Sequence, residues 1–317
     1  MTDVTATLGR GAGGGSINLR GEGRRLRRER RVRFFFWVAG LSSLAISIAI
    51  IASLLGNSLT FLGNISLDTL WTTDKWAPRI GKFDMATLFM GSLLVTAVAM
   101  IIAAPLGLGS AIYLAEYASP RVRRIAKPIL EVMAGIPSIV LGFFALTVIS
   151  PDFVQTVFTD SPQFNLLAAG LGVGILTIPL VASISEDALR SVPRSLREAS
   201  EGLGARKMTT TVQVVIPAAV SGLVAALIIG VSRAIGETMV VTVAAGASGG
   251  SLFTTDPTQP GQTMTAAMAS LATGTDQVRG ASGAFQSLFF VGLLLFVITL
   301  VLNIISERFV ARVRQRY

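Results

Sequence analysis

The sequence predicts an all-α polytopic membrane protein with six transmembrane helices. Three observations predict it. Only 14% of the 317 residues are charged while 51% are hydrophobic. Six apolar stretches are each long enough to cross a bilayer, and the basic residues collect in alternate connections between them. A soluble domain carries nearer about a quarter charged residues. The mean hydropathy of +0.66 therefore describes a chain whose solvent is lipid, not one with an oversized core. Cysteine and histidine are both absent. That excludes disulfides and thiolate chemistry, together with the commonest general base and transition-metal ligand.

A helix crosses the hydrocarbon with roughly 20 apolar residues. Such stretches run from Phe34 to Leu55, Ala86 to Ala115, Ala126 to Ile149, Leu166 to Ser185, Val212 to Ala245 and Phe285 to Ser306. The second and fifth exceed one crossing, which predicts tilt, kinks or extension past the membrane. Residues 1–33 read as a basic tail and 34–317 as the membrane domain. Met1 to Glu22 is rich in Gly and Thr and is expected to be disordered. The arginine run at 24–33 reads as a topology signal for anionic headgroups, not as a nucleic-acid site. The first apolar stretch is too long for a cleaved signal peptide and no small-residue cleavage site follows, so it is read as an anchor.

Basic residues then orient the spans. They fill the tail, the connection with Arg121, Arg123, Arg124 and Lys127, the connection with Arg190, Arg194, Arg197, Arg206 and Lys207, and the end with Arg308, Arg312, Arg314 and Arg316. The intervening loops hold only Lys75, Arg79, Lys82 and Arg279. The positive-inside rule places both termini in the cytoplasm. The net charge of +9 is thereby read as orientation and lipid contact, without a nucleic-acid partner.

Smaller features follow the same logic. Gly170, Gly172 and Gly174 suit close helix contacts, and Pro105, Pro137 and Pro179 are expected to be accommodated by membrane packing. Glu116 is expected to pair locally with Arg121 and Arg123. Glu131 falls inside the third stretch and has no assigned partner. Trp71 and Trp76 read either as interfacial aromatics or as part of a small packed outer element.

The connection at about 190–217 carries the most information. It reads Arg197-Glu198-Ala199-Ser200-Glu201-Gly202-Leu203-Gly204 and closes on Val214-Val215-Ile216-Pro217. Val192 to Glu201 suits a short helix along the membrane surface, with Pro193 in its first turn. Ala199 and Ser200 are small enough for a partner backbone to approach, and Gly202 and Gly204 permit a sharp reversal. Arg194, Arg197 and Glu198 offer charged contacts. This segment resembles the EAA loop of ABC-importer permeases, with Ser200 in place of the third small residue. The resemblance implies docking onto a separate ATPase, whose rigid-body motion would pass to the adjoining spans. The chain itself has no Gly-x4-Gly-Lys-Ser/Thr sequence; Gly81-Lys82 is followed by Phe83. It is therefore expected to be no enzyme alone, to carry no cofactor, and to leave ATP and Mg to a partner.

Within the fifth stretch, Arg233 and Glu237 stand four residues apart on one helical face. An arginine in a span costs about 2.5–3.5 kcal/mol on insertion scales, so it faces a polar cavity or a partner charge. Two readings stand on the residues alone: a structural ion pair, or an anion contact in which the guanidinium fork takes two oxygens of an oxyanion.

Further phrases are similar to phosphate-specific importer permeases of the PstC type. They are Pro105-Leu106-Gly107-Leu108-Gly109, Ala111-Ile112-Tyr113-Leu114-Ala115-Glu116-Tyr117, Lys127-Pro128-Ile129-Leu130-Glu131, Ala134-Gly135-Ile136-Pro137-Ser138, Gly142-Phe143-Phe144-Ala145-Leu146 and Arg233-Ala234-Ile235-Gly236-Glu237-Thr238-Met239. The resemblance implies a type I ABC-importer permease fold in a bacterial plasma membrane. It implies four kinds of partner: a second permease of PstA type, an ATPase dimer of PstB type, an external phosphate-binding protein of PstS type and the lipid bilayer. The same architecture carrying sulfate or molybdate, or an ion-coupled secondary transporter with Arg233 and Glu237 as its coupling pair, are the competing expectations.

Overall fold

The computed structural model describes residues 23–246, 250–274 and 283–313; the Gly- and Thr-rich start of the chain lies outside them. The polypeptide divides into two units, one ending at Ala52 and one beginning at Ser53. The first unit is the leading part of helix α1, Gly23–Gly63. The helix begins eleven residues before the expected membrane domain, so the arginine run belongs to it. Arginine, leucine and glutamate are strong helix formers, and a helix already nucleated extends at little cost. Phe34, Phe35, Phe36 and Trp37 are exposed along it, as lipid-facing side chains are.

The second unit holds the remaining elements. Helix α2 runs over Met85–Tyr117 and closes on a π-helical turn, Tyr113–Tyr117. It is followed by α3, Pro120–Met133, α4, Ser138–Val157, and α5, Leu166–Arg190. Then come α6, Arg194–Gly202, α7, Lys207–Ile235, α8, Met239–Ala244, α9, Met264–Ala272, and α10, Ala284–Val313. Six helices are long and apolar enough to cross a membrane: Glu29–Gly63, Met85–Tyr117, Ser138–Val157, Leu166–Arg190, Lys207–Ile235 and Ala284–Arg308.

Two of the expected stretches are corrected. The third crossing is Ser138–Val157, not Ala126 to Ile149. Lys127 and Glu131 lie instead on α3, an amphipathic helix that buries no side chain. Pro137 forces the residue before it out of the helical region, which separates α3 from α4. The fifth stretch is not continuous to Ala245: it is interrupted at Gly236, Glu237 and Thr238. Glycine weakens the helix there. The Thr265 hydroxyl donates to the Glu237 carbonyl at 2.7 Å, which keeps the broken backbone satisfied.

The core lies where α2 and α5 meet. Val95, Ala99, Ala169 and Val173 are fully or almost fully buried between them. A Cβ on Gly170 would stand 2.7 Å from Val98, and one on Gly174 would stand 3.0 Å from the Ala99 carbonyl oxygen. These glycines let two backbones approach, as expected.

A second cluster joins the end of α1 to α10 through a three-stranded antiparallel sheet. Its strands are β1 (Lys75–Ala77), β2 (Lys82–Phe83) and β3 (Ser251–Leu252), in the order β2-β1-β3. Trp76 pairs with Phe83 and Ser251 in the ladder. Its ring is buried, with its centroid 6.0 Å from Phe83, and Phe61 packs 5.2 Å from Phe83 and 5.3 Å from Phe290. Trp76 thus belongs to a packed element, while Trp71 stays exposed. Asp84 caps α2 and accepts hydrogen bonds from the backbone N–H groups of Thr72, Thr73 and Thr87.

Candidate functional site

Polar groups gather at the two ends of α7, roughly 40 Å apart by helical rise. At its start lies α6 with the turn that follows. Pro193 precedes the helix in extended conformation instead of occupying its first turn. The end of α6 is a Schellman turn: the Ala205 N–H donates to the Ser200 carbonyl at 3.2 Å, and the Gly204 N–H to the Glu201 carbonyl at 2.9 Å. This pattern requires a left-handed residue, and Gly204 supplies it with φ +83°. Gly202 is helical and contributes no such conformation.

The turn presents Leu203 at 91% exposure, and Met208 is exposed as well. Glu198, Ala199 and Gly204 are also exposed. Ser200 is half-buried, and its hydroxyl meets that of Thr210 at 2.8 Å. A serine in place of the third small residue therefore ties α6 to the start of α7. Pro217 stands just after the π-helical turn Thr211–Val215, at the beginning of the α-helical part of α7.

Arg197 is not among the outward-facing groups. Its Nη2 donates to Glu116 Oε1 at 2.8 Å and to the Leu189 carbonyl at 2.8 Å, while Nη1 donates to the Val192 carbonyl at 2.7 Å. Glu116 accordingly pairs with Arg197 across the fold and not with Arg121 or Arg123, the partners expected from proximity in sequence.

A second ionic cluster was not legible beforehand. Glu186 on α5 is only 1% exposed. It is held by Arg123 at 2.7 Å, Lys127 at 2.7 Å and Arg190 at 3.8 Å, and Lys127 also reaches Asp187 at 2.6 Å. Burial alone pulls the Lys127 ammonium down, but the carboxylates of Asp187 and Glu186 outweigh it and hold the group above its ordinary value. Residues read only as a topology signal thus also bolt the surface helix α3 to α5. The available signal was the acidic pair Glu186-Asp187 closing an apolar stretch beside a basic connection.

At the far end of α7, Arg233 Nη2 and Glu237 Oε2 lie 3.8 Å apart, too far for a hydrogen bond. Arg233 is half-exposed, whereas Glu237 is buried at the helix interruption beside the core residues Ala234 and Val240. Among the described residues no hydrogen-bond acceptor meets the Arg233 guanidinium. Its planar fork is therefore open to an external acceptor, with the buried carboxylate as its nearest counter-charge.

Residues 103–316 match the family of binding-protein-dependent transport system inner membrane components. The chain belongs to this family. A probable ABC transporter permease protein of Bacillus subtilis, YqgH, is 36% identical over 222 residues, 69% of this chain and 72% of that protein. The phosphate transport system permease protein PstC of Mesorhizobium japonicum is 33% identical over 266 residues, 77% of this chain and 79% of that protein.

Among solved structures, a bacterial alginate ABC transporter in complex with its periplasmic protein superposes with a TM-score of 0.63 at 14% identity. It covers 92% of this chain and 99% of that one. An inward-facing MetNI methionine ABC transporter gives a TM-score of 0.54 at 19% identity, over 79% of this chain and 100% of that one. These likenesses establish the all-α type I importer permease fold of a multi-pass membrane protein. The permease family is one of non-catalytic subunits.

Proposed function

We propose that this permease forms half of the membrane pathway of an ATP-driven importer of inorganic phosphate. The observation that carries the reading is the similarity, over about three quarters of both chains, to a permease named for phosphate transport. The chemistry of Arg233 supports it: a half-exposed guanidinium without a hydrogen-bonded partner, beside a buried carboxylate, suits a tetrahedral oxyanion.

The permease lies in a bacterial inner membrane. The basic connections that include α3 and α6 face the cytoplasm, and so do both termini. A second permease subunit of PstA type completes the pathway; the chain is itself 39% identical to a PstA protein over 160 residues. A dimeric ATPase of PstB type binds ATP and Mg. It receives the exposed Glu198, Ala199, Leu203, Gly204 and Met208 in a groove. A PstS-type protein delivers phosphate on the opposite side. Closure of the ATPases moves α6, and the spans alternate between inward- and outward-facing arrangements.

Orthophosphate uptake at limiting concentration, in cells lacking this subunit and in cells with it restored, tests the reading. Restored ATP-dependent uptake that excess sulfate does not inhibit is the expected result. Failure to restore uptake, despite assembly with the ATPase, withdraws phosphate as the cargo. Inhibition by sulfate or molybdate reassigns the pathway to another oxyanion. Arg233→Ala is expected to lower flux at least ten-fold with normal complex yield; unaltered flux leaves Arg233 only its structural pairing with Glu237.

A further inference from the structure

The two helices adjoining α6 in the chain are α5 and α7, so a partner pulling on α6 would be expected to act on those two. The hydrogen bonds of Arg197 add a third. One guanidinium, 19% exposed, donates to Glu116 on the last turn of α2 and to the Leu189 and Val192 carbonyls at the end of α5. Its Nε also points at Glu116 Oε1, at 3.3 Å. The Glu116 side chain is 7% exposed, so the pair is shielded from the water that weakens surface ion pairs. Glu116 lies 81 residues before Arg197, and no local preference brings them together.

Little else holds α6 to the bundle. No residue of the helix is buried. Leu196 packs partly against the cluster of Leu189, Val192 and Val215, and Ser200 shares a hydrogen bond with Thr210. A surface helix fixed so lightly tilts independently unless a polar clamp pins it.

The clamp lands on the most closely packed pair of spans. A Cβ on Gly107 of α2 would stand 2.8 Å from Val181 of α5, in addition to the close approaches at Gly170 and Gly174. Such interlocked surfaces move together or not at all. Helix α7 also meets α5 closely, at Gly222 against Ala188 and Gly230 against Val181, but it is entered through a π-helical turn, Thr211–Val215, and is broken after Ile235. The π-helical turn at Tyr113–Tyr117 also matters. It adds a residue to the last turn of α2 and so rotates Glu116 by roughly 100° relative to a continuous α-helix.

We propose that the Glu116–Arg197 pair is the joint through which movement of α6 reaches α2, so that α2, α5 and α6 move as one body while α7 bends. Arg197 is then a positioning residue that transmits force instead of touching the ATPase. This rests on the reading above that a partner drives α6.

Glu116→Ala tests it cleanly. It removes only the α2 arm of the clamp and leaves the carbonyl contacts of Arg197 to α5. The intact transporter, with its ATPase and binding protein, is reconstituted in vesicles, and transport and ATP hydrolysis are measured together. Glu116→Ala is expected to assemble in normal yield and to hydrolyse ATP, with phosphate carried per ATP reduced at least five-fold. Glu116→Gln, which keeps an oxygen acceptor for Arg197 and leaves its carbonyl contacts to Leu189 and Val192 untouched, is expected to recover at least half of that ratio. An unchanged ratio in Glu116→Ala overturns the proposal. So does a lower ratio accompanied by loss of the ATPase, because the residue then serves docking. A Glu116→Gln variant no better than Glu116→Ala overturns a joint made through the hydrogen bond at residue 116.

A readout independent of cargo uses the absence of cysteine in the chain. Spin labels are placed on Tyr113→Cys of α2 and Ser195→Cys of α6, both exposed positions. Their separation is expected to stay narrow and constant with and without ATP, and to broaden and shift with ATP in the Glu116→Ala background. A separation that changes with ATP in the parent, or that is identical in both backgrounds, overturns the joint. A parent complex that carries no phosphate would refute the cargo assignment while leaving these distances interpretable.

Discussion

Gly204 offers a prediction whose size follows from geometry. Its φ of +83° is the left-handed conformation that closes the turn after α6, and a Cβ there would meet nothing within 4 Å. The cost of Gly204→Ala is therefore confined to the backbone, about 1–2 kcal/mol for an L-residue in this region. Gly202 is equally open but helical, and alanine there gains about 0.5–1 kcal/mol.

The same substitution two residues apart thus acts with opposite signs. One kcal/mol corresponds to about a five-fold change in an equilibrium and two to about thirty-fold. Gly204→Ala is expected to speed amide exchange at Ala205, whose N–H closes the turn, by about five- to thirty-fold. It should weaken binding of the ATPase in the same direction, because the exposed Leu203 is no longer held in place. Gly202→Ala should slow exchange and leave binding intact. If the two alanines behave alike, or if Gly204→Ala exchanges like the parent, the left-handed turn is not what Gly204 contributes.

Glu186→Ala leaves Arg123, Lys127 and Arg190 around an emptied site. It is expected to lower the unfolding midpoint of the solubilised protein, by less than the roughly 3–5 kcal/mol of a fully buried broken pair, because the three cations stay partly exposed and Lys127 keeps Asp187. Gly91→Ala places a Cβ against the backbone carbonyl of Gln262, which cannot yield as a side-chain tip would. A loss of about 1–3 kcal/mol is expected, against a neutral outcome at Gly109, where the space is open. Lys127 has its pKa raised by Asp187 and Glu186 against the pull of burial. Its contribution is therefore fully present below the ordinary lysine value and fades as pH rises through the higher folded one. Thermal unfolding followed into the alkaline range should fall less steeply in Lys127→Met than in the parent.

What the sequence determined by itself is what depends on residue type and spacing along the chain. The length of an apolar run decides whether it crosses a bilayer. The number of crossings was legible, and so was the place of all but the third and the end of the fifth, because lipid accepts little else. The chain reversal at Gly204 was legible because glycine alone takes a left-handed conformation cheaply. That Arg233 and Glu237 face one another was legible from their spacing of four, and they lie 3.8 Å apart.

Tertiary structure alone decided which groups meet. The third crossing was displaced because hydropathy averages over Lys127 and Glu131, whereas Pro137 and the ion pairs of α3 to Glu186 and Asp187 settle where the helix lies. Arg197 read as an outward contact because its neighbours in sequence are polar. Its acceptors are Glu116 and the end of α5, brought to it by the packing of α2 on α5. The π-helical turn that orients Glu116 leaves no mark in composition. An ion pair between residues 81 positions apart exists only once the chain has folded, because Coulomb attraction depends on separation in space and not along the sequence.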